Sequence, residues 1–202
     1  MSTVKVNLVE PRSGTTLTLG ASGDTVDIQT GATIDATGAT ITGWPSGGLS
    51  DASIWRHTSN SGISAGVDTT LTAWEEDDST GAGRVRSAMT QSSGIFTFPS
   101  TGYWLITYYY EFNYTGSTRY SSGRINVTTN DSSYAIVAYQ NQFASWSGDD
   151  AYGASSSSFI FDVTDTAQCK AKFTAFSPQA ITVGGETTKN RTHILFMKLG
   201  AT

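Results

Sequence analysis

The sequence predicts an all-β protein in which antiparallel strands form a sandwich or barrel, and two observations support this fold class. Among 202 residues, 57 are Ser or Thr and 21 are Gly, whereas only 14% are charged. That composition favours strands and tight turns over helices. In addition, strand-length apolar stretches recur after about residue 50 with turn residues between them and no interposed helical pattern.

Charge and hydropathy exclude several classes of function. The formal net charge is -5 and the sequence pI is about 4.8, which disfavours sequence-independent binding to a phosphate backbone. No apolar run is long enough to span a membrane, and the first residues lack the basic and apolar regions of a signal peptide. We therefore expect a soluble protein made in a cytoplasm.

Residues 1–49 differ from the rest of the chain and predict a thin stalk. They contain no Phe or Tyr and one Trp, so they cannot bury a core alone. Short apolar–polar alternations occur at 15–19 and 24–28, and Gly-Ala-Thr-Ile occurs twice, at 31–34 and 38–41. Intertwined chains could share an apolar seam made by regularly spaced β-branched residues. These residues are Val26, Ile28, Ile34 and Ile41.

The alternative for this segment is a flexible Gly/Thr/Ser linker, although a linker has no need for regularly spaced β-branched residues. Pro45 and the paired glycines 47–48 then predict a neck, because Pro and Gly interrupt regular structure.

Residues 50–202 predict the globular head. The expected strands are 52–58, 67–74, 94–98, 103–112, 123–128, 134–139, 157–163, 169–173 and 192–199. In the strand at 169–173, the single Cys169 alternates with Ala171 and Phe173. We therefore interpret Cys169 as a small buried hydrophobe rather than a reactive thiol, and a lone cysteine cannot form an internal disulfide.

Two of these strands are apolar on both faces, which predicts self-association. Even-numbered positions of 103–112 form an aromatic core face, and the opposite face is also too apolar for water. The strand 192–199 repeats this pattern. A second copy of the chain is the simplest cover, and the alternative is a cover of loops. The expected interface residues of the head are Tyr103, Leu105, Tyr109, Leu195 and Met197.

Segment 140–156 is expected to be a loop that contacts a receptor. It combines aromatic side chains with amides and carboxylates, a mixture that can stack on sugar faces and hydrogen-bond their hydroxyls. The candidate residues are Phe143, Trp146, Asp149, Asp150 and Tyr152. The alternative is that these aromatics pack beneath the loop.

No constellation of residues indicates catalysis. The spacing of His57, His193 and Cys169 does not suggest zinc, and no Gly-x-Ser-x-Gly elbow is present. The acidic cluster 75–78 is interpreted as a solvated turn, because adjacent carboxylates in one loop do not hold the fixed separation that glycoside cleavage needs. No cofactor is expected, with calcium as a minority hypothesis. Its candidate ligands are Asp77, Asp78, Asp149 and Asp150.

The head resembles the trimeric jelly roll shared by tumour necrosis factor and the globular head of the first complement component. That family has a Gly-x-Phe-x-x-Pro-x-x-Gly-x-Tyr/Trp run before a long aromatic strand, matched here by Phe96, Pro99, Gly102 and Trp104. It closes with a strand of the form Phe-x-Lys-Leu-Gly, matched by residues 196–200. The resemblance covers roughly residues 50–202 and implies a homotrimer. Pro99 and Gly102 also suit a turn between strands, where Gly accepts positive φ.

Residues 4–43 resemble the opening of small virion proteins of tailed bacteriophages. The shared layout has a Lys-Val-Asn start, Pro-Arg-Ser-Gly-Thr-Thr-Leu-Thr-Leu-Gly, and then Gly-Ala-Thr-Ile repeats. The resemblance implies a virion location, with the N-terminal part docked on other virion proteins. At about 3.3 Å per residue the stalk could reach no more than about 150 Å, which is short for a tail fibre.

Together these observations predict an all-β protein with a stalk at 1–49 and a jelly-roll head at 50–202. The expected function is that of a non-enzymatic, homotrimeric phage fibre or spike whose head binds a host-surface glycan or protein. The alternatives are a capsid decoration or head fibre and, more remotely, an envelope polysaccharide depolymerase that would use Glu75 or Glu76.

Overall fold

The computed structural model describes residues 49–115, 118–144 and 150–202. The predicted stalk and neck, with Val26, Ile28, Ile34 and Ile41, lie outside these ranges. Within them, no helix is long and apolar enough to cross a lipid bilayer.

The described residues form thirteen β-strands and confirm the all-β fold class. In chain order the strands are β1 (Ala52–His57), β2 (Ser61–Ile63), β3 (Thr69–Thr70), β4 (Trp74–Glu76), β5 (Thr90–Ser92), β6 (Ile95–Thr97), β7 (Gly102–Thr115), β8 (Thr118–Thr128), β9 (Ala135–Ala144), β10 (Asp150–Val163), β11 (Lys170–Phe176), β12 (Ile181–Val183) and β13 (His193–Gly200).

The strands pair antiparallel in two sheets. In the first sheet the order is β10-β7-β13-β1-β4. Beyond the end of β13, β12 pairs with the same edge of β7, and β2 pairs with β12. In the second sheet the order is β5-β6-β11-β8-β9, and β3 also pairs with β11. The long ladder between β7 and β10 runs from Gly102 opposite Val163 to Thr115 opposite Asp150.

An aromatic core joins the inner faces of the two sheets. Phe96 of the second sheet lies 5.2 Å from Phe196 of the first, measured between ring centroids, and Phe173 lies 5.1 Å from Tyr108. Burying each such ring stabilises the fold by roughly 1.5–3 kcal/mol. The even positions of β7 all point into this core, as the alternation predicts. They are Trp104, Ile106, Tyr108, Tyr110 and Phe112, each at most 1% exposed.

The turn before β7 confirms the expectation for Pro99 and Gly102. Pro99 lies between β6 and β7, where it interrupts no ladder. Gly102 has φ +137°, and a Cβ at this position would collide with the carbonyl oxygen of Gly200. A residue other than glycine would therefore strain the entry to the longest strand. Cys169 is buried, as predicted.

Two expectations about local structure, one for a strand and one for a loop, are wrong. Segment 67–74 is not one strand, because Thr69–Thr70 pairs with β11 of the second sheet whereas Trp74 begins β4 of the first. Segment 140–156 is not one loop, because β9 extends to Ala144 and β10 begins at Asp150. The inward amide of Gln140 is satisfied across the sandwich, because it donates to the carbonyl of Tyr108 at 3.3 Å and accepts from Ser157. Such partners let a polar segment remain in a sheet.

Candidate binding surfaces

The outward face of the first sheet is apolar and partly exposed. We call it the apolar face, and it consists of outward side chains of β7, β10 and β13. Exposure is 42% for Tyr103, 40% for Tyr109, 56% for Ile160 and 48% for Leu199. Leu105, Leu195 and Met197 are half-buried on the same side.

Strand register explains why these side chains lie together. Met197 pairs with Leu105 and His193 with Tyr109, and on the other side of β7 Ile160 pairs with Leu105. Directly opposed side chains in an antiparallel sheet are close enough to pack against each other. The structure thus brings together all five residues predicted for the head interface and leaves each of them at least partly exposed. Their role in a trimer stays a prediction.

One end of the apolar face is polar. The rings of Tyr109 and His193 stack with centroids 4.3 Å apart and planes 10° from parallel. Beside them, Arg191 Nε donates to Glu111 Oε1 at 3.0 Å, and a cavity of about 290 Å³ lies between these groups and β10. Burial lowers the pKa of His193. Its imidazole is therefore held mainly neutral near pH 7.

The predicted receptor residues occupy different sheets. Phe143 is 65% exposed on the outward face of β9 in the second sheet, whereas Tyr152 is 62% exposed on the outward side of β10 in the first. Asp150 begins β10, and Trp146 and Asp149 lie outside the described residues. A receptor role for these five residues stays a prediction.

The outward face of the second sheet was missed by the sequence analysis. Tyr139, Asn141 and Phe143 point outward from β9, and register places Arg124 and Ser122 of β8 beside the first two. A groove of about 780 Å³ runs over this area. Residues 139–143 read Tyr-Gln-Asn-Gln-Phe, with three consecutive polar residues, so no apolar–polar alternation marks this segment as a strand.

The acidic cluster 75–78 was predicted to be a solvated turn, and this prediction is wrong. The cluster instead encloses a buried arginine. Arg56 has a side chain only 1% exposed, and its Nε donates to Glu75 at 2.7 Å. Its Nη1 donates to Asp77 at 2.8 Å, and its Nη2 pairs with Asp78. The arginine lies in β1, so its position next to the cluster could not be read from local sequence. Buried charges persist where they are paired in this way.

Asp77 of this cluster and the neighbouring His57 have shifted pKa values. Burial disfavours the ionised form of Asp77 and by itself would raise its pKa. Hydrogen bonds from Ser79 and Asn190, together with the Arg56 guanidinium, outweigh this effect and lower the pKa to about 2. Burial lowers the pKa of His57 to about 4. His57 Nε2 lies 2.8 Å from Ser61 Oγ, an arrangement that suits a neutral imidazole.

These contacts bear on the calcium and depolymerase hypotheses. Asp77 and Asp78, two of the four calcium candidates, face the Arg56 guanidinium, and a cation there disfavours a second cation. Across the described part of the chain, no group of three His, Cys, Asp or Glu side chains could hold a metal ion. Glu75 pairs with Arg56 and Glu76 with Arg84, so neither of the depolymerase candidates stands as an isolated acid.

Comparison with solved structures defines the fold more closely. Crystal structures of murine APRIL at pH 8.5 and pH 8.0 match with TM-scores of 0.51 and 0.52 and sequence identities of 14% and 12%. The matches cover 73% and 74% of this chain and 99% and 98% of the APRIL chain. Eiger TNF from S. frugiperda matches with a TM-score of 0.51 and 12% identity, over 75% of this chain and 93% of that chain.

The fold is therefore a TNF-like jelly roll. This confirms the jelly-roll expectation for the described head, and at these identities it establishes the fold alone. No family model and no curated protein matches the sequence.

Proposed function

We propose that this protein is a non-enzymatic homotrimer whose jelly-roll head binds a partner on a surface. The apolar face carries the proposal. In a lone chain, Tyr103 and Ile160 would expose 42% and 56% of their area to water, next to Leu105 and Met197. Contiguous apolar surfaces of this kind mark interaction sites, because covering them removes apolar area from water.

Three copies are favoured over two by the sequence resemblance to the trimeric jelly rolls of tumour necrosis factor and complement. Rotational symmetry closes such an assembly, so that each copy covers the next and no apolar edge remains open. The polar end of the apolar face, with Glu111 and Arg191, would then lie at the rim of each contact, where water can reach it.

We further propose that the trimer is a short fibre or spike of a tailed bacteriophage, with its N-terminal part docked on other virion proteins. The support is the resemblance of residues 4–43 to the opening of phage virion proteins. The head would then contact a glycan or protein of the host cell. Three weak sites on one axis gain avidity without any new contact.

Sedimentation of the purified full chain tests the trimer. We expect a species with three times the 21.4 kDa mass of one chain at micromolar concentration. A folded, compact single chain at that concentration would contradict the proposal.

Immunogold labelling of particles tests the location, and its copy number separates the alternatives. A few copies at the tail would support a fibre or spike, whereas hundreds over the capsid would favour a decoration protein. Binding of the labelled trimer to host cells completes the test. Release of reducing sugar from host envelope, lost on Glu75→Gln, would instead establish a depolymerase.

A further inference from the structure

The outward face of the second sheet carries aromatic and polar side chains in ordered rows. On β9, Tyr139 and Phe143 are 63% and 65% exposed, and Asn141 lies between them. Alternate residues of a strand share one face, so the two rings stand about 13 Å apart along it. Large rings held in water on a rigid strand are unusual unless they contact something.

The neighbouring strand β8 adds hydrogen-bonding groups to the same face. Arg124 pairs with Tyr139 and Ser122 with Asn141 in the ladder, and Tyr120 lies further along β8. Arg124 is also fixed in place: its Nη1 lies 3.3 Å from Asp68, and its guanidinium lies 4.5 Å from the centre of the Phe176 ring. The groove of about 780 Å³ is bounded by these residues and by Ser157 and Ser158 of β10.

The third strand of this face is basic. On β11, Lys170 and Lys172 pair with Thr128 and Asn126, on the side from which Arg124 projects. Lys172 Nζ lies 4.5 Å from the centre of the Tyr134 ring. Among the described residues, Asp68 is the carboxylate that forms an ion pair with one of these cations, Arg124. The three cations of this face contrast with the net charge of -5 of the whole chain.

We propose that this outer face binds an acidic polysaccharide. The rings of Tyr139 and Phe143 stack on the C–H faces of two sugars that are separated along one polysaccharide chain, and Asn141 between them hydrogen-bonds the sugar hydroxyls. Arg124 and Lys172 pair with the carboxylates of uronic acid units. This proposal rests on the proposed function, since it names the class of host glycan that the head would recognise.

The composition of the face favours a sugar over other occupants. A second copy of this chain or another apolar partner would bury the amide of Asn141 and the ammonium of Lys172 against groups that offer them no hydrogen bonds. Single-stranded nucleic acid also stacks on aromatic rings, but a chain of net charge -5 repels a dense polyanion. A uronic acid polymer, by contrast, offers apolar ring faces, hydroxyls and spaced carboxylates together.

Binding to six immobilised probes tests the ligand class, with the full chain as analyte. The probes are polygalacturonate, its methyl ester, alginate, hyaluronate, polyglutamate and oligo-dT. We expect binding to polygalacturonate and at least about tenfold weaker binding to the ester, which keeps the sugars but loses the charges. Polyglutamate, which has carboxylates but no sugar rings, should not bind. Equal binding to polyglutamate or to oligo-dT would overturn the proposal, as would binding to none of polygalacturonate, alginate and hyaluronate.

Substitutions test the location. Tyr139→Ala should weaken binding to trigalacturonate about tenfold, and Tyr139→Phe should retain it, because stacking needs the ring and not the hydroxyl. Lys172→Gln should weaken binding, whereas Lys189→Gln, at a lysine 76% exposed in another part of the head, should not. Loss of binding with Tyr152→Ala but not with Tyr139→Ala would overturn the placement and move the site to the first sheet.

Sedimentation and melting of each variant separate this inference from the proposed trimer. All these side chains are substantially exposed or lie at the surface, so the variants should keep the parental melting temperature and assembly state. Binding that depends on Tyr139 in a protein that sediments as a single chain would sustain the glycan surface and overturn the trimer. A trimer that binds no acidic polysaccharide would support the proposed trimer and overturn the glycan surface.

Discussion

The two sheets of the head present opposite chemistry to their surroundings. Outward residues of the first sheet are mainly apolar, with Tyr103, Leu105 and Ile160 adjacent in register. Those of the second sheet mix rings with amide, hydroxyl and cationic groups, as in Tyr139, Asn141 and Arg124.

Under the proposed function, this difference would separate assembly from recognition within one fold. A surface with few unpaired hydrogen-bonding groups loses little when water is permanently removed from it, so it suits contact between identical copies. A surface of rings and polar groups stays soluble alone and gains specificity only from a partner with matching groups. Each surface can therefore change without loss of the other.

The largest effect is expected from charges placed on the apolar face. The double variant Leu105→Glu, Met197→Glu should lower head association by several orders of magnitude, since each interface would bury unpaired carboxylates at a cost of several kcal/mol. Sedimentation velocity of the full chain measures the change. The matched variant Ile136→Glu, at an apolar residue 48% exposed on β9, should assemble normally. If Ile136→Glu dissociates the trimer instead, the roles of the two sheets are reversed.

The charged edge of the first sheet should be the next most sensitive. Arg56→Met leaves the half-enclosed carboxylates of Glu75 and Asp77 without their cation and should cost about 3–5 kcal/mol of unfolding free energy. Arg84→Met removes an exposed pair with Glu76 and should cost less than about 1 kcal/mol. Urea denaturation compares the two. Similar losses would show that burial does not set the strength of these pairs.

Acid should weaken the head in two separate stages. The pKa of His57 falls to about 4 in the fold, from about 6.5 in an unfolded chain, so only the unfolded state takes up its proton between these values. Stability should fall by about 3 kcal/mol from pH 6.5 to pH 4. Below pH 4, the stability of the head falls further as the carboxylate of Asp77, whose pKa is lowered to about 2 in the fold, becomes protonated.

Thermal melting of the parent and His57→Gln across this range provides the measurement. The variant should lose most of the slope between pH 6.5 and pH 4 and keep the decline at lower pH. A residual slope is expected from His193, whose pKa burial also lowers. An unchanged slope in His57→Gln would assign the acid sensitivity to other groups.

Salt should produce the smallest effect and distinguish the two surfaces. Raising NaCl from about 0.05 M to about 0.5 M screens exposed charges but strengthens apolar burial slightly. The trimer should therefore persist, while binding of polygalacturonate to the second sheet should weaken about tenfold. Isothermal titration at both salt concentrations measures this. Dissociation of the trimer at high salt would mean that ion pairs, and not apolar area, hold it together.

The sequence predicted the parts of the fold that repeat a pattern over many residues. Strands β7 and β13 were recognised because alternation persists along them and because both faces are apolar. The strands β2, β5 and β12 are each three residues long and contain too few positions for a period to emerge. Their existence depends on pairing partners that are distant in sequence, such as β12 with β7.

The candidate sites were harder to predict for the same reason. Residues that act through their own strand, such as Leu105 and Met197, could be identified from alternation. The role of the acidic cluster depends on Arg56, which lies 19 residues before Glu75 and meets it only through the β1–β4 pairing. The groove of the second sheet likewise requires that β8 and β9 be adjacent, a fact of topology that no local pattern contains.

Strand β4 has a consequence for how such molecules behave when crowded. It is one margin of the first sheet, only three residues long, and its two glutamates already pair with Arg56 and Arg84. This edge therefore has too few unpaired backbone groups, and too much charge, for a strand of another chain to pair with it. At this margin, therefore, strand addition between crowded copies of the head is disfavoured.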